Sequence, residues 1–114
     1  MSDDRLNPNH VHAQYNLGVA LAKTGDWEGA LASYRTAVRL DPTYVNAQYN
    51  LGIALEETGD LEGAIAAYRT TLRLDPTHVN AQYNLGTVLQ QAGDLEGAIA
   101  AYRTALRLDP NDVS

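Results

Sequence analysis

The sequence predicts an all-α solenoid of three antiparallel helix pairs. Repetition is the first observation behind this reading. The string Ala-Gln-Tyr-Asn-Leu-Gly recurs at 13–18, 47–52 and 81–86, a spacing of 34 residues both times. Gly-Asp recurs at Gly25, Gly59 and Gly93, Tyr-Arg-Thr at Tyr34, Tyr68 and Tyr102, and Arg-Leu-Asp-Pro at Arg39, Arg73 and Arg107. The second observation is spacing: Val45, Ala47, Leu51, Ala54 and Leu55 recur as on one face of a helix. The third is punctuation, with a glycine in the middle of each unit and a proline at its end. A fixed period of this length marks stacked repeats, whose units bury their apolar faces only against one another.

The elements follow in chain order. Residues 1–10 form a stub in which Arg5-Leu6-Asn7-Pro8 imitates the end of a unit, without the apolar pattern of a helix before it. The units then run 11–44, 45–78 and 79–112, and 113–114 match the first positions of a fourth. Units two and three agree at 26 of 34 positions and units one and two at 24, so they are duplications or copies of a designed unit. Irregular differences at Ala22-Lys23, Glu56-Glu57 and Gln90-Gln91 favour drift after duplication.

Within unit two, helix A is expected to start from Thr43 as N-cap and to end at Gly59. Asp60 then caps helix B, and Glu62 places charge in its first turn. Leu61, Ala64, Ile65, Tyr68, Leu72 and Leu74 are its expected buried stripe. Asp75-Pro76 stops it. Gly52 and Ala64 stand where the two helices must approach closely, beside the bulk of Leu51 and Tyr68.

Composition removes several functions. The chain has 114 residues and no cysteine, which excludes disulfides, Fe–S clusters, thiolate zinc sites and cysteine nucleophiles. No apolar run approaches the roughly 20 residues of a membrane span. A net charge of −6 disfavours a broad nucleic-acid surface or docking on an anionic membrane. The acidic, polar start is unlike a signal peptide, so the expected location is the cytoplasm. Seven arginines against one lysine hint at a GC-rich bacterial genome. His10 and His12 are two apart and do not share a helix face, so no metal site is expected. No nucleophile–base pair or phosphate loop converges, so neither catalysis nor a cofactor is expected.

These residues resemble the tetratricopeptide repeat (TPR) family. Its pattern is met by Asn16-Leu17-Gly18, Gly25-Asp26, Ala30-Leu31, Tyr34, Ala37-Val38 and Leu40-Asp41-Pro42, and again in units two and three. The chain departs from the family at Gln14, Gln48 and Gln82, where tryptophan is frequent. It departs also at Gly29, Gly63 and Gly97, where glutamate is frequent, so each helix B is expected to start weakly. Trp27 replaces a leucine and reads as packing.

The resemblance implies a right-handed superhelix whose A helices line a concave groove for a peptide or extended partner segment. Groove positions carried over by it are His12, Asn46 and Asn80; Tyr15, Tyr49 and Tyr83; Asn16, Asn50 and Asn84; Val19, Ile53 and Thr87; then Lys23, Glu56, Glu57 and Gln91, beside Ala22 and Gln90. The asparagine row is similar to the ladder in the repeat arm of O-GlcNAc transferase, which holds substrate peptides. Asparagine amides can pair with a peptide backbone without reading its sequence, or be spent on packing within their own unit. The tyrosines offer contact area or pack between A helices. A carboxylate clamp is disfavoured, because Tyr15 stands where the family's lysine would be and Lys23 is the only firm groove cation.

On helix B, Arg35/Arg39, Arg69/Arg73 and Arg103/Arg107 form a stripe, read mainly as serving helix ends and the nearby Asp41, Asp75 and Asp109. No capping helix follows unit three, so Leu95, Ile99, Tyr102, Leu106 and Leu108 are expected to be partly uncovered. Three functional readings result. The first is a non-enzymatic protein-interaction scaffold. The second is a self-assembling solenoid, stacking end to end or by domain swap. The third is the substrate-recognition arm of a larger enzyme.

Overall fold

Helix follows helix throughout the computed structural model, which describes residues 8–110. The six are α1 (Pro8–Lys23), α2 (Trp27–Leu40), α3 (Val45–Glu57), α4 (Leu61–Leu74), α5 (Val79–Gln91) and α6 (Leu95–Leu108). No strand occurs among the described residues. Each A helix (α1, α3, α5) packs against the B helix that follows it, and α2 and α4 also pack against the next A helix. The result is an elongated helical repeat solenoid of 51 × 25 × 22 Å. Among the described residues no helix is long and apolar enough to cross a membrane.

The turns explain the order. Gly59 adopts φ +89°, a left-handed conformation that disfavours residues with a Cβ, and Gly25 and Gly93 repeat it. The Asp60 amide returns to the Leu55 carbonyl at 2.8 Å and the Gly59 amide to Glu56 at 3.1 Å, closing the end of α3 as a Schellman-type turn. The next helix starts at once. Asp26, Asp60 and Asp94 each accept the amide N–H three residues on at 2.9 Å. Such a cap contributes about 1 kcal/mol. A Cβ at Gly63 would lie 2.6 Å from the Asp60 carboxylate, so the glycine accommodates the cap in this geometry.

One local expectation is corrected. Thr43 is not the N-cap of α3. Its amide and hydroxyl both donate to Asp41 Oδ1, at 3.0 and 2.7 Å, and Tyr44 takes the cap position with no side-chain bond. In unit three His78 occupies this position and its Nδ1 accepts from the Ala81 amide at 3.1 Å. In addition, α1 begins at Pro8, ahead of the unit boundary at 11; proline favours a first helical position because its missing N–H is not needed there. Residues 1–7 and 111–114, including most of the stub and the start of a fourth unit, lie outside the described residues.

The core forms where A and B helices cross. Ala64, Ala67, Tyr68 and Thr71 are the buried residues of α4, while Leu61, Ile65, Leu72 and Leu74 of the expected stripe are only half-buried. Tyr68 is 0% exposed, and a Cβ on Gly52 would come within 2.5 Å of its ring. Gly52 therefore sets how closely α3 and α4 approach.

Candidate functional site

The junctions between units bring together most of the expected groove residues. At the first, Asn50 on α3 donates its amide to the Tyr15 hydroxyl on α1 at 3.2 Å. At the second, Asn84 on α5 donates to the Tyr49 hydroxyl on α3 at 2.9 Å. The amides therefore do not stay within their own units; one donor of each links successive A helices, the same amides also bear on the B-helix hydroxyls of Tyr34 and Tyr68, and the carbonyl adds acceptor capacity. Each tyrosine also stacks on the residue that leads into the next A helix. Tyr15 lies 5.0 Å from the Tyr44 ring and Tyr49 lies 4.7 Å from the His78 ring. His12 meets the Tyr44 hydroxyl at 3.1 Å.

Behind this row stand the B-helix tyrosines. Tyr68 donates to Glu56 Oε1 at 2.7 Å, and Tyr102 donates to Gln90 Oε1 at 2.9 Å. The matching residue in unit one is Ala22, which has no acceptor for Tyr34. Burial pushes the Tyr68 hydroxyl well above the usual tyrosine range, and the bond to Glu56 holds its proton further. Tyr34 and Tyr49 are raised as well, by burial first, with Asn50 and Asn84 respectively acting in the opposite direction. Outside the junctions, Asp75 is held below the ordinary carboxylate range, chiefly by the Thr77 hydroxyl and then the Thr77 amide.

A cavity of about 260 Å³ opens at the first junction. Val19, Ala22, Lys23, Trp27, Tyr34, Asn50 and Ile53 line it. Four of these are expected groove residues: Val19, Lys23, Asn50 and Ile53. Trp27 does pack against the core, as its replacement of a leucine suggests, but it also walls this cavity. The signal for it was a pair of unit-one exceptions: a larger residue at 27 where the others have leucine, and a smaller one at 22 where they have Glu56 and Gln90.

The remaining groove candidates are more dispersed. Asn16, Asn46, Glu57, Asn80, Tyr83 and Gln91 are exposed, and Thr87 is half-buried with its hydroxyl on the Tyr83 carbonyl at 3.2 Å. The six helix-B arginines are all exposed. Asp41 and Asp75, expected beside them, accept from Thr43 and Thr77.

At the far end of the stack α6 exposes Leu95, Ile99, Leu106 and Leu108, while Tyr102 is half-buried against the core. Sequence reasoning missed the corresponding surface on α1, where Leu17 is 49% exposed. Its equivalents Leu51 and Leu85 are buried at 9% and 7%.

A family model described as tetratricopeptide repeat matches residues 49–113, and another described as TPR repeat matches 20–59. Among solved structures the chain is similar to MamA, with a TM-score of 0.88 and 31% identity, covering 91% of this chain and 61% of that one. It is similar also to YrrB, described as a TPR protein with an unusual peptide-binding site, with a TM-score of 0.86 and 26% identity, covering 90% and 53%. A further MamA protein structure, at 24% identity and TM-score 0.82 over 91% and 59%, shows likeness of fold alone. The chain thus spans 53% to 61% of the length of these neighbours. Among curated proteins none matches.

Proposed function

The chain belongs to the tetratricopeptide repeat family, and from that premise we propose that it is a non-enzymatic scaffold holding an extended peptide or partner segment along α1, α3 and α5. One observation carries this reading: the cavity at the first junction gathers Val19, Lys23, Asn50 and Ile53 from the face that the family resemblance assigns to ligands. YrrB, a structural neighbour described as having a peptide-binding site, supports the same class of partner. Asn50 and Asn84 keep an amide carbonyl beyond their bonds to tyrosines, an acceptor for a peptide backbone N–H. The test is the double variant Asn50→Ala with Asn84→Ala against a peptide library, with a thermal melt to confirm folding. Binding at least tenfold weaker is expected; a folded double variant with unchanged binding overturns the role of the asparagine row.

A second reading, self-association, has its own observation. The face of α6 with Leu95, Ile99 and Leu106 has the same register as the α4 face that α5 covers, and α6 differs from α4 only in Ala105 for Thr71. Leu17 on α1 has the register of Leu51 and Leu85, which are buried in the continuous core. A second copy can therefore apply its α1 to α6 as α5 applies to α4, and Tyr83 then meets a partner asparagine at the register of Asn16. Sedimentation over a concentration series should show association that Leu106→Glu weakens. A strict monomer at high concentration removes this reading.

A further inference from the structure

We infer that the first junction holds a selective pocket for one large apolar side chain with an acidic residue next to it, on a partner's extended segment. The inference rests on the groove reading above and names the kind of segment that groove selects. Its starting point is a difference between otherwise matching units. Glu56 and Gln90 reach across to accept from the hydroxyls of Tyr68 and Tyr102. Ala22 at the same register lines the cavity instead, and Trp27, where the other units carry leucine, forms a broad wall of it.

Size and polarity select the occupant. Drug-sized ligands need about 300–1,000 Å³. The cavity of about 260 Å³ falls below that and suits a single side chain better than a whole small molecule. Val19, Ala22, Ile53 and the rings of Trp27 and Tyr34 make its walls largely apolar. Among the described residues Lys23 is the lysine or arginine that lines this cavity, and it is exposed there, while the same register one unit on is Glu57. A carboxylate placed next to the apolar anchor therefore meets an ammonium in unit one and would meet repulsion in unit two. The segment's register along the stack follows from the same difference.

Trp27 is the only tryptophan in the chain, so its emission reports occupancy directly. Two probes separate the pocket from the groove: the dipeptide acetyl-Leu-Asp-amide, and end-blocked Ser/Gly heptapeptides with a central Leu followed by Asp, Lys or Ser. The Leu-Asp probes should shift Trp27 emission, and the Leu-Lys heptapeptide should bind at least tenfold more weakly. Ala22→Glu should weaken Leu-Asp binding at least tenfold. Lys23→Glu should reverse the order of the Asp and Lys peptides. Both substitutions place in unit one what unit two carries at Glu56 and Glu57, so the frame tolerates them, and a melting curve confirms it. Heptapeptide binding, read by anisotropy, without a Trp27 response or unchanged in Ala22→Glu overturns the pocket and leaves the groove standing. A dipeptide response with no gain for the heptapeptide keeps the pocket and overturns the groove. No binding of either probe overturns both.

Discussion

The first and second junctions are built on one plan and differ in what fills it. Both cross an A-helix tyrosine with the next unit's asparagine, at 3.2 Å for Tyr15–Asn50 and 2.9 Å for Tyr49–Asn84. Both place a glycine of the A helix against the ring of a buried B-helix tyrosine, Gly18 on Tyr34 and Gly52 on Tyr68. Tyr68, however, is bonded through its hydroxyl to Glu56, whereas Tyr34 and Ala22 both line an open cavity. The difference separates two duties that a repeat usually merges. Backbone approach and unit-to-unit register are common property, while the position four residues after each glycine is free to close a junction or to open it.

The largest expected effect tests the shared part. Overpacking a tight contact costs about 1–3 kcal/mol, and replacing a helix glycine by alanine returns up to about 1 kcal/mol. For Gly52→Ala the added methyl falls 2.5 Å from a ring that is 0% exposed, so Tyr68 has nowhere to move. A net loss of roughly 2 kcal/mol in denaturant unfolding is expected there. Gly18→Ala creates the same clash, but Tyr34 borders the cavity and can shift into it, so its loss should be smaller. Equal losses would show that the cavity gives Tyr34 no freedom.

The next effect tests the filling. Removing the Tyr68 hydroxyl should cost about 1.5 kcal/mol, the low end for a bond to a carboxylate because this acceptor is only part-buried. The same change at Tyr34 should cost less, since no acceptor stands at position 22. The pair also differs at high pH. A tyrosine whose folded pKa is raised adds stability that is fully present below its unfolded value near 10 and is lost as pH rises above it. Wild type should therefore lose stability steeply beyond pH 10, and Tyr68→Phe should flatten that loss more than Tyr34→Phe does. Parallel alkaline melting profiles for the two variants would contradict this.

How much of this was legible from the residues depends on the range over which each feature is decided. The helix pairs were legible because the Gly-Asp turn and the Asp-Pro stop are local and repeat three times. Thr43 was misread because Asp41, two residues earlier, captures both its amide and its hydroxyl before the helix can use them. The fate of Asn50 was not legible within one unit, since its partner Tyr15 is 35 residues away on another helix. Trp27 shows the same limit: a single register comparison marks it as a leucine substitute, and only its juxtaposition with Ala22 reveals the cavity. The exposure of Leu17 follows from stacking order, which distinguishes it from the identical Leu51 and Leu85 although its local sequence does not.

The smallest effect runs against the usual direction of substitution and sharpens the comparison most. Ala22→Glu should stabilise the chain. Glutamate is close to alanine in helix propensity. At position 22 it takes up the register from which Glu56 reaches Tyr68, so the new carboxylate gains the Tyr34 hydroxyl as donor. A net gain of about 0.5–1 kcal/mol is expected in urea unfolding, less than the loss at Tyr68→Phe because part of the bond energy is offset by desolvating the carboxylate. The gain should vanish when Tyr34→Phe is added, which a double-mutant cycle measures as coupling between the two sites. Lys23, at the next position, then has an acidic neighbour, and raising the salt concentration isolates that exposed contribution from the buried one. A stabilising substitution that closes the cavity would mean that unit one carries alanine at a cost to its own stability. A null or destabilising result, or a gain that survives Tyr34→Phe, would make Ala22 an ordinary packing choice and remove the distinction between an open and a closed junction.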